Sequence, residues 1–431
     1  MIHITDKYAC CGCGGCVQKC PQHCISLLED EEGFLYPSVD AATCVGCGLC
    51  EKVCPVLHQD AVREPLSVHA AVSPDEEVRL SSSSGGLFTE LASVVIRRGG
   101  VVFGARFNSS WDVVHDYTES LSGLSDFRGS KYLQSRTGDS YRQAETFLRQ
   151  GREVLFTGTP CQIAGLRHFL GKEYTNLLTL DFICHGVPSP GVFRRYLSDE
   201  VSRLSSSARK GAGKNSVLLR PIPSVPVADV NSGRWRIDDI RFRDKEKGWK
   251  KYSFVLVLSQ APAAGEKNTV SFSYSQTLDR NAFMRGFLRD LYLRPSCHKC
   301  PAKGLSGGSD ITLGDYWGIQ SLMPEIDDDR GVSAVLTGTA AGRALLSSTK
   351  ARLYSAPYDD VKLKNPALVK SAAEPAGRAA FFKEDGRAFH DKIDRLCRIS
   401  MKQRAKSFLV TSVIRFLGNG GKERLKRLVR R

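Results

Sequence analysis

No run of about 18 apolar residues occurs in the 431-residue chain, so no segment reads as a transmembrane helix. The N-terminus, Met1-Ile2-His3-Ile4-Thr5-Asp6, has neither the basic nor the apolar region of a secretory signal, and a cytoplasmic chain is expected. Neither a G-x-G-x-x-G nor a Walker sequence is present, which removes those two fingerprints of nucleotide binding. Acidic residues are in deficit, with 46 Asp and Glu against 61 Lys and Arg, a formal charge of +15. That deficit is local. Residues 401–431 hold ten Lys and Arg against one Glu, whereas residues 1–60 hold three Lys and Arg against eight Asp and Glu. No aromatic-studded basic sheet or helix-turn-helix accompanies the basic tail, so nucleic acid is not an expected partner.

What the chain does have is cysteine, fifteen residues of it. In a reducing compartment this number points to metal rather than disulfides. Cys10, Cys13, Cys16 and Cys20-Pro21, then Cys44, Cys47, Cys50 and Cys54-Pro55, spell C-x2-C-x2-C-x3-C-P twice. In a two-cluster bacterial ferredoxin that spacing places three cysteines on one cluster and sends the fourth to the other. The assignment is therefore Cys10, Cys13, Cys16 and Cys54 to one [4Fe–4S] cluster, and Cys44, Cys47, Cys50 and Cys20 to a second. Cys11 and Cys24 fall outside the count and read as bystander thiols. Short strands are expected at Ile25 to Leu28 and Gly33 to Tyr36, around an acidic turn.

His58 to Pro65 reads as a linker. Beyond it, strands at Ser67 to Val72, Val101 to Phe107, Val113 to Tyr117, Val154 to Phe156 and Leu177 to Ile183 alternate with helices at Leu87 to Ile96, Asp139 to Gln150 and Ile163 to Leu170, the pattern of an α/β domain. Arg203 to Lys251 reads as an irregular excursion or hairpin. Strands resume at Phe254 to Leu258, Thr269 to Tyr274 and Asp310 to Gly314, with a helix at Leu278 to Leu291. Ser81 to Gly86 leads directly into a helix, so hydroxyls, glycines and free helix N–H groups form either an anion cradle or an ordinary cap and turn. Lys131 and Tyr132 read either as an anion contact and a stacking ring, or as a solvated lysine and a core tyrosine.

A second group of cysteines stands at element ends. Cys161 opens a helix, where partial positive charge favours a thiolate; Cys184 closes an apolar strand; Cys297 and Cys300 form a C-x2-C pair. Together they suit one four-thiolate site, for an iron–sulfur cluster or a zinc ion. A cysteine enzyme with Cys161 as nucleophile and His185 as base is the competing reading, and it leaves Cys184, Cys297 and Cys300 without a role. Cys397 is unassigned. Phe408-Leu409-Val410, Val413-Ile414 and Phe416-Leu417 give the tail an apolar face beside its cations, the composition of a helix on an anionic membrane or a partner protein.

Taken jointly, the ferredoxin repeat, Ser83-Ser84-Gly85-Gly86, Gly129-Ser130-Lys131-Tyr132, Gly158-Thr159-Pro160-Cys161-Gln162, Phe182-Ile183-Cys184-His185-Gly186-Val187-Pro188-Ser189-Pro190, the C-x2-C pair and Ser309 to Gly318 are recognisable. The chain resembles the coenzyme F420 hydrogenase/dehydrogenase beta-subunit family from about residue 3 to residue 395. The resemblance implies an N-terminal bacterial ferredoxin-like domain (1–60), an α/β flavin-binding domain with a mixed sheet (61–395) and, outside the match, a basic amphipathic tail (396–431). It implies that Cys161, Cys184, Cys297 and Cys300 hold a third [4Fe–4S] cluster. It also implies that FAD lies against Ser83, Ser84, Gly85, Gly86, Lys131, Tyr132, Gly158, Thr159 and Pro160. The expected activity is that of an iron–sulfur flavoprotein oxidoreductase passing electrons between clusters and FAD, with hydride exchange to F420 or another organic substrate. A non-catalytic electron-transfer subunit serving a redox partner protein is the alternative.

Overall fold

Val154-Leu155-Phe156-Thr157 is buried at every position, as a strand covered on both faces must be. The computed structural model describes residues 1–207, 235–260, 270–383 and 386–398. Its strands, in chain order, are β1 (Ile25–Glu29), β2 (Leu35–Val39), β3 (Ser67–Val72), β4 (Val101–Phe107), β5 (Val113–Thr118), β6 (Val154–Thr157), β7 (Leu177–Phe182), β8 (Trp235–Asp244), β9 (Ser253–Gln260), β10 (Val270–Thr277), β11 (Ile311–Asp315), β12 (Ser333–Thr337) and β13 (Arg352–Ser355). Eight of them form one sheet in the order β13-β3-β12-β11-β7-β6-β4-β5. β4, β6, β7 and β11 pair in parallel, and β12 runs antiparallel to both β11 and β3. The sheet is therefore mixed, with β3, β4, β6, β7 and β11 all pointing one way.

Helices cover both faces. Leu87–Arg97 and Ala340–Ser347 bring Leu87, Leu91, Val95, Leu345 and Leu346 against Leu155, Leu180 and Val335. Ser140–Arg149 and Pro160–Leu170 bring Tyr141, Leu148, Ile163, Leu166 and Phe169 against Val101, Phe103 and Phe156 on the other side. Each fully buried side chain of this kind contributes roughly 1.5–3 kcal/mol. A separate antiparallel sheet, β10-β9-β8, packs with the helices Pro190–Ser207, Ala282–Phe287 and Phe389–Leu396 around Phe193, Tyr196, Phe242, Phe254, Phe283 and Tyr292.

One sequence expectation sharpens here and one changes. Residues 235–244, within the segment read as an irregular excursion or hairpin, are a strand that pairs antiparallel with β9, as the hairpin alternative had it; the pairing shifts register between Ile237 and Asp239, and that bulge interrupts the apolar alternation. The helix expected over Leu278 to Leu291 is confined to Ala282–Phe287: the Asn281 side chain caps Met284 N, and Asp290 adopts a positive φ of 58° just beyond. The tail beyond residue 398, with its apolar face and basic charge, lies outside the described residues.

At the N-terminus β1 and β2 form a hairpin. β2 starts two residues later than expected, because Asp30 Oδ1 accepts from the backbone of both Glu32 and Phe34 and extends the turn. Thiols take the place of an aliphatic core in this segment: Cys20, Cys24, Cys50 and Cys54 are buried with Ile2 and Ile25. The segment is bonded firmly to the rest of the chain. Tyr141 N donates to Gln18 Oε1 at 2.8 Å, Arg142 Nε to Gln18 O at 2.6 Å, and Thr137 Oγ1 to Cys13 O at 3.1 Å. Among the described residues no helix is long and apolar enough to cross a membrane.

Candidate metal centre

Three elements converge on one cavity. Cys161 lies in the first turn of Pro160–Leu170, which Thr159 starts through a capping box with Gln162; Cys184 follows the end of β7; Cys297 lies within the 3₁₀ turn Pro295–Lys299 and Cys300 caps its end. All four line the cavity, together with Pro160, Phe182 and Lys303. Polar groups hold the frame. Val187 N donates to Cys297 Sγ at 3.4 Å, Thr159 Oγ1 lies 3.2 Å from Cys161 Sγ, and Cys300 N donates to Ser371 Oγ at 3.0 Å. Lys303 Nζ bridges the carbonyls of Cys184 and Ala367, 2.7 Å from each.

The electrostatics invert the expectation of a ready thiolate at Cys161. Contact with Cys11 and then burial push its thiol well up, and burial pushes Cys297 to about 12 and raises Cys184 and Cys300. Such thiols keep their protons until a metal takes over the charge, which removes the ionised sulfur that the nucleophile reading needs. His185 is engaged at Nε2 by Asp290 Oδ1, 2.5 Å away.

A second cavity brings Cys20 to Cys44, Cys47 and Cys50, across the repeat, with Cys24 Sγ 3.3 Å from Cys20 Sγ. Cys47 is exposed there. Cys16 lies near Cys10 and Cys54, and burial with these neighbours raises its thiol to about 12. Cys13 packs against Gly165 of the helix Pro160–Leu170. Cys11, counted a bystander in the sequence, lines the Cys161 cavity as a fifth thiol.

The residues expected to face a flavin lie along the carboxyl ends of the parallel strands, where open α/β sheets place ligands. After β3, Ser83 Oγ accepts from Ser130 N at 2.6 Å, which joins the Ser81 to Gly86 loop to Gly129-Ser130-Lys131. Ser84 Oγ donates to Val332 O, and Gly85 lies so close to the backbone that a Cβ would stand 2.4 Å from Ala71 O. Gly86 caps Leu87–Arg97. Lys131 Nζ donates to the carbonyls of Asp126 and Arg128 at 2.8 and 3.0 Å, and burial draws it down to about 7. Tyr132 packs on Phe287 and Phe242 as part of the core, as its bland reading had it. Gly158 and Thr159 follow β6 beside His115, and Pro160 belongs to the cysteine cavity.

Residues 9–57 match the 4Fe-4S dicluster domain, and residues 151–216 and 224–360 match the family described as the C terminus of the coenzyme F420 hydrogenase/dehydrogenase beta subunit. Residues 9–57 are thus similar to the one family and most of residues 151–360 to the other, so that a ferredoxin-like iron–sulfur domain at the N-terminus precedes a segment similar to an oxidoreductase beta subunit. No curated protein matches the chain. A solved structure, the xenon-derivatised F420-reducing [NiFe] hydrogenase complex from Methanosarcina barkeri, contains a similar chain at 16% identity, covering 71% of this chain and 90% of that one with a TM-score of 0.40.

The residues that sequence reasoning missed are mostly basic. Arg243, on β8, is 9% exposed, pairs with Asp315 at 2.5 Å, lies over the Tyr252 ring and keeps Nε and Nη2 without a hydrogen-bond partner among the described residues. Lys245 Nζ donates to the carbonyls of Arg79, Ser84 and Arg330; burial, then repulsion from Arg243 and Arg79, brings it down to about 7. Trp249 Nε1 donates to Asp315 Oδ1, and its ring stacks on Trp317 at 4.9 Å. The run Arg241-Phe242-Arg243-Asp244-Lys245 was the available signal. Arg294, three residues before Cys297, was the other.

Proposed function

We propose that this chain is an iron–sulfur flavoprotein oxidoreductase carrying three [4Fe–4S] clusters and FAD, and that it exchanges hydride with F420 or another organic substrate. The observation that carries the reading is the single cavity lined by Cys161, Cys184, Cys297 and Cys300, alongside the two ferredoxin-type sets in residues 1–60.

FAD fits the edge of the sheet on charge. Arg128 and Lys245 bond to the Ser81 to Gly86 loop, Lys131 follows the Ser130 that donates to Ser83, burial lowers both lysines to about 7, and Arg243 has donors to spare. The backbone of Ser83 to Gly86, the free hydroxyl hydrogen of Ser83 and Arg243 would hold a pyrophosphate, while Gly158 to Pro160 would bring the ring toward the Cys161 cavity. A flavin gives or takes two electrons as hydride and trades single electrons with clusters. Residues 1–60 then form the electron-transfer domain and 61–395 the flavin domain. The exposed Cys47 cavity, on an acidic segment, favours a redox partner protein at that end.

Anaerobic purification with iron and flavin determination tests this reading, followed by turnover with reduced viologen as donor and F420 among a panel of acceptors. Flavin released without covalent attachment on denaturation, with turnover of an organic acceptor, is expected. No flavin after reconstitution with FAD would leave an iron–sulfur carrier without hydride chemistry of its own.

A further inference from the structure

Arg294 is a fully buried cation, and among the described residues no Asp or Glu pairs with it. Arg378, which donates to the carbonyl of the preceding Leu293, spends its charge on Glu32 instead. The donors of Arg294 go to neutral acceptors and to one sulfur: the carbonyls of Cys10 and Leu35, Gln134 Oε1, and Cys10 Sγ, which Nη2 reaches at 3.4 Å. The ring centroids of Tyr36 and Phe34 lie 4.2 and 5.4 Å from the guanidinium carbon and offset part of its charge. An uncompensated buried ion is costly, so a full negative charge belongs at this spot. Cys10 Sγ supplies it once iron binds, because a ligating cysteine is a thiolate. The guanidinium cannot retire from that sulfur. Arg294 N donates to Val187 O at 3.0 Å and Cys297 N to Arg294 O at 2.9 Å, which fixes its backbone at the turn carrying Cys297. Among the described residues no Lys or Arg lines the other N-terminal cavity, of Cys20, Cys44, Cys47 and Cys50. There Cys50 Sγ accepts from Ile2 N, a neutral donor, at 3.3 Å, and the Met1 ammonium is paired with Glu51.

We propose that Arg294 is the counter-ion of the first N-terminal cluster, acting through Cys10 Sγ to raise that cluster's reduction potential. It is a positioning residue: it binds no iron and acts through a ligand. The inference rests on the ferredoxin-type assignment of Cys10, Cys13, Cys16 and Cys54, and it does not need the third cluster. One-electron reduction adds a negative charge to a cluster and its sulfurs. A fixed cation with a charge-assisted N–H···S bond stabilises that state more than the oxidised one. The compensation is permanent, since a guanidinium keeps its proton throughout the working pH range. It also has a direction. The first cluster lies toward the Cys161 cavity, because Cys13 packs against Gly165 on the helix that carries Cys161. An electron delivered by a redox partner at the exposed Cys47 is therefore drawn inward, to the cluster that Arg294 faces.

The test compares anaerobically purified parent, Arg294→Gln and Arg294→Lys proteins by iron content and by redox titration followed by EPR. All three are expected to keep their iron. In Arg294→Gln the first cluster becomes about tenfold harder to reduce, a fall of about 59 mV for one electron, while the cluster on Cys20, Cys44, Cys47 and Cys50 stays in place. Arg294→Lys, which keeps the charge, recovers most of that fall. An unshifted first cluster in Arg294→Gln, or a Lys protein that titrates with the Gln protein, would overturn the proposal and leave Arg294 a structural clamp. Should Arg294→Gln lose the cluster, the parent itself decides. Grown on arginine labelled with heavy nitrogen, it should show altered nitrogen modulation of the first cluster's signal in pulsed EPR, and an unaltered signal would overturn the contact. About eight irons in the parent would fail the three-cluster reading alone, since the first cluster is read from its own signal.

Discussion

Arg294 Nε donates to the Cys10 carbonyl at 2.7 Å across 284 residues of sequence. The guanidinium is fully buried; Nη1 donates to Gln134 Oε1 at 2.8 Å, Nη2 to Leu35 O at 3.0 Å, and the Tyr36 ring lies 4.2 Å away. It ties the first cysteine loop to the turn that carries Cys297. Arg294→Met keeps length but strands these acceptors, and a loss on the order of 4 kcal/mol is expected in anaerobic denaturant unfolding. A loss below about 1 kcal/mol, the worth of an ordinary hydrogen bond, would show that the clamp is dispensable.

Replacing Cys300 by Ser should lower iron from about twelve to about eight per chain while the ferredoxin-type EPR signals persist. Equal iron in parent and variant would exclude Cys300 as a ligand. A variant that loses all its iron would show that the third site is needed to assemble the other two.

Gly85→Ala places a methyl 2.4 Å from Ala71 O and 2.8 Å from Ser333 N, both backbone atoms that cannot swing aside. A destabilisation of about 1–3 kcal/mol follows, with the Ser81 to Gly86 loop displaced. Thermal unfolding and flavin retention measured on the same protein check this. An unaltered melting temperature would mean that the β3 to β12 junction yields more easily than its packing suggests.

His115 is 8% exposed, its Nε2 lies 3.0 Å from Thr157 O, and burial lowers its pKa from 6.5 to about 4. The unfolded chain binds this proton below pH 6.5 and the folded one does not. The stability is therefore present above pH 6.5 and lost as the pH falls toward 4, at about 1.4 kcal/mol per unit. Unfolding at pH 7 and pH 5.5 should show a drop in the parent about 1 kcal/mol larger than in His115→Gln. Equal drops would mean that His115 is protonated in the fold.

The cysteine repeats were legible because their spacing is local: three residues apart in sequence is already close in space. Strands such as β4 and β6 were legible because burial on both faces writes itself as an unbroken apolar run. β8 was legible only as one arm of a possible hairpin, since its bulge shifts the alternation and Asp and Arg occupy the strand positions between Ile237, Ile240 and Phe242. Cys11 and Arg294 carry no local pattern at all. Their places arise from contacts between distant segments, and a thiol beside a ligand motif looks the same in sequence whether it is idle or lines a second cavity. The pKa of Cys161 went astray for a related reason: a helix N-terminus favours a thiolate, but burial among other thiols outweighs it.

The strand order also sets a timetable for biosynthesis. β3 has neighbours only in β12 and β13, more than 250 residues downstream. A chain leaving the ribosome therefore presents β3 as an unpaired edge while β4, β6 and β7 already pair beside it, at about 5–20 residues per second of synthesis. During that interval the nascent sheet offers two open edges to other nascent chains. Iron arriving at the N-terminal cysteines in the same window would meet ligands whose buttress, Arg294, has yet to be made.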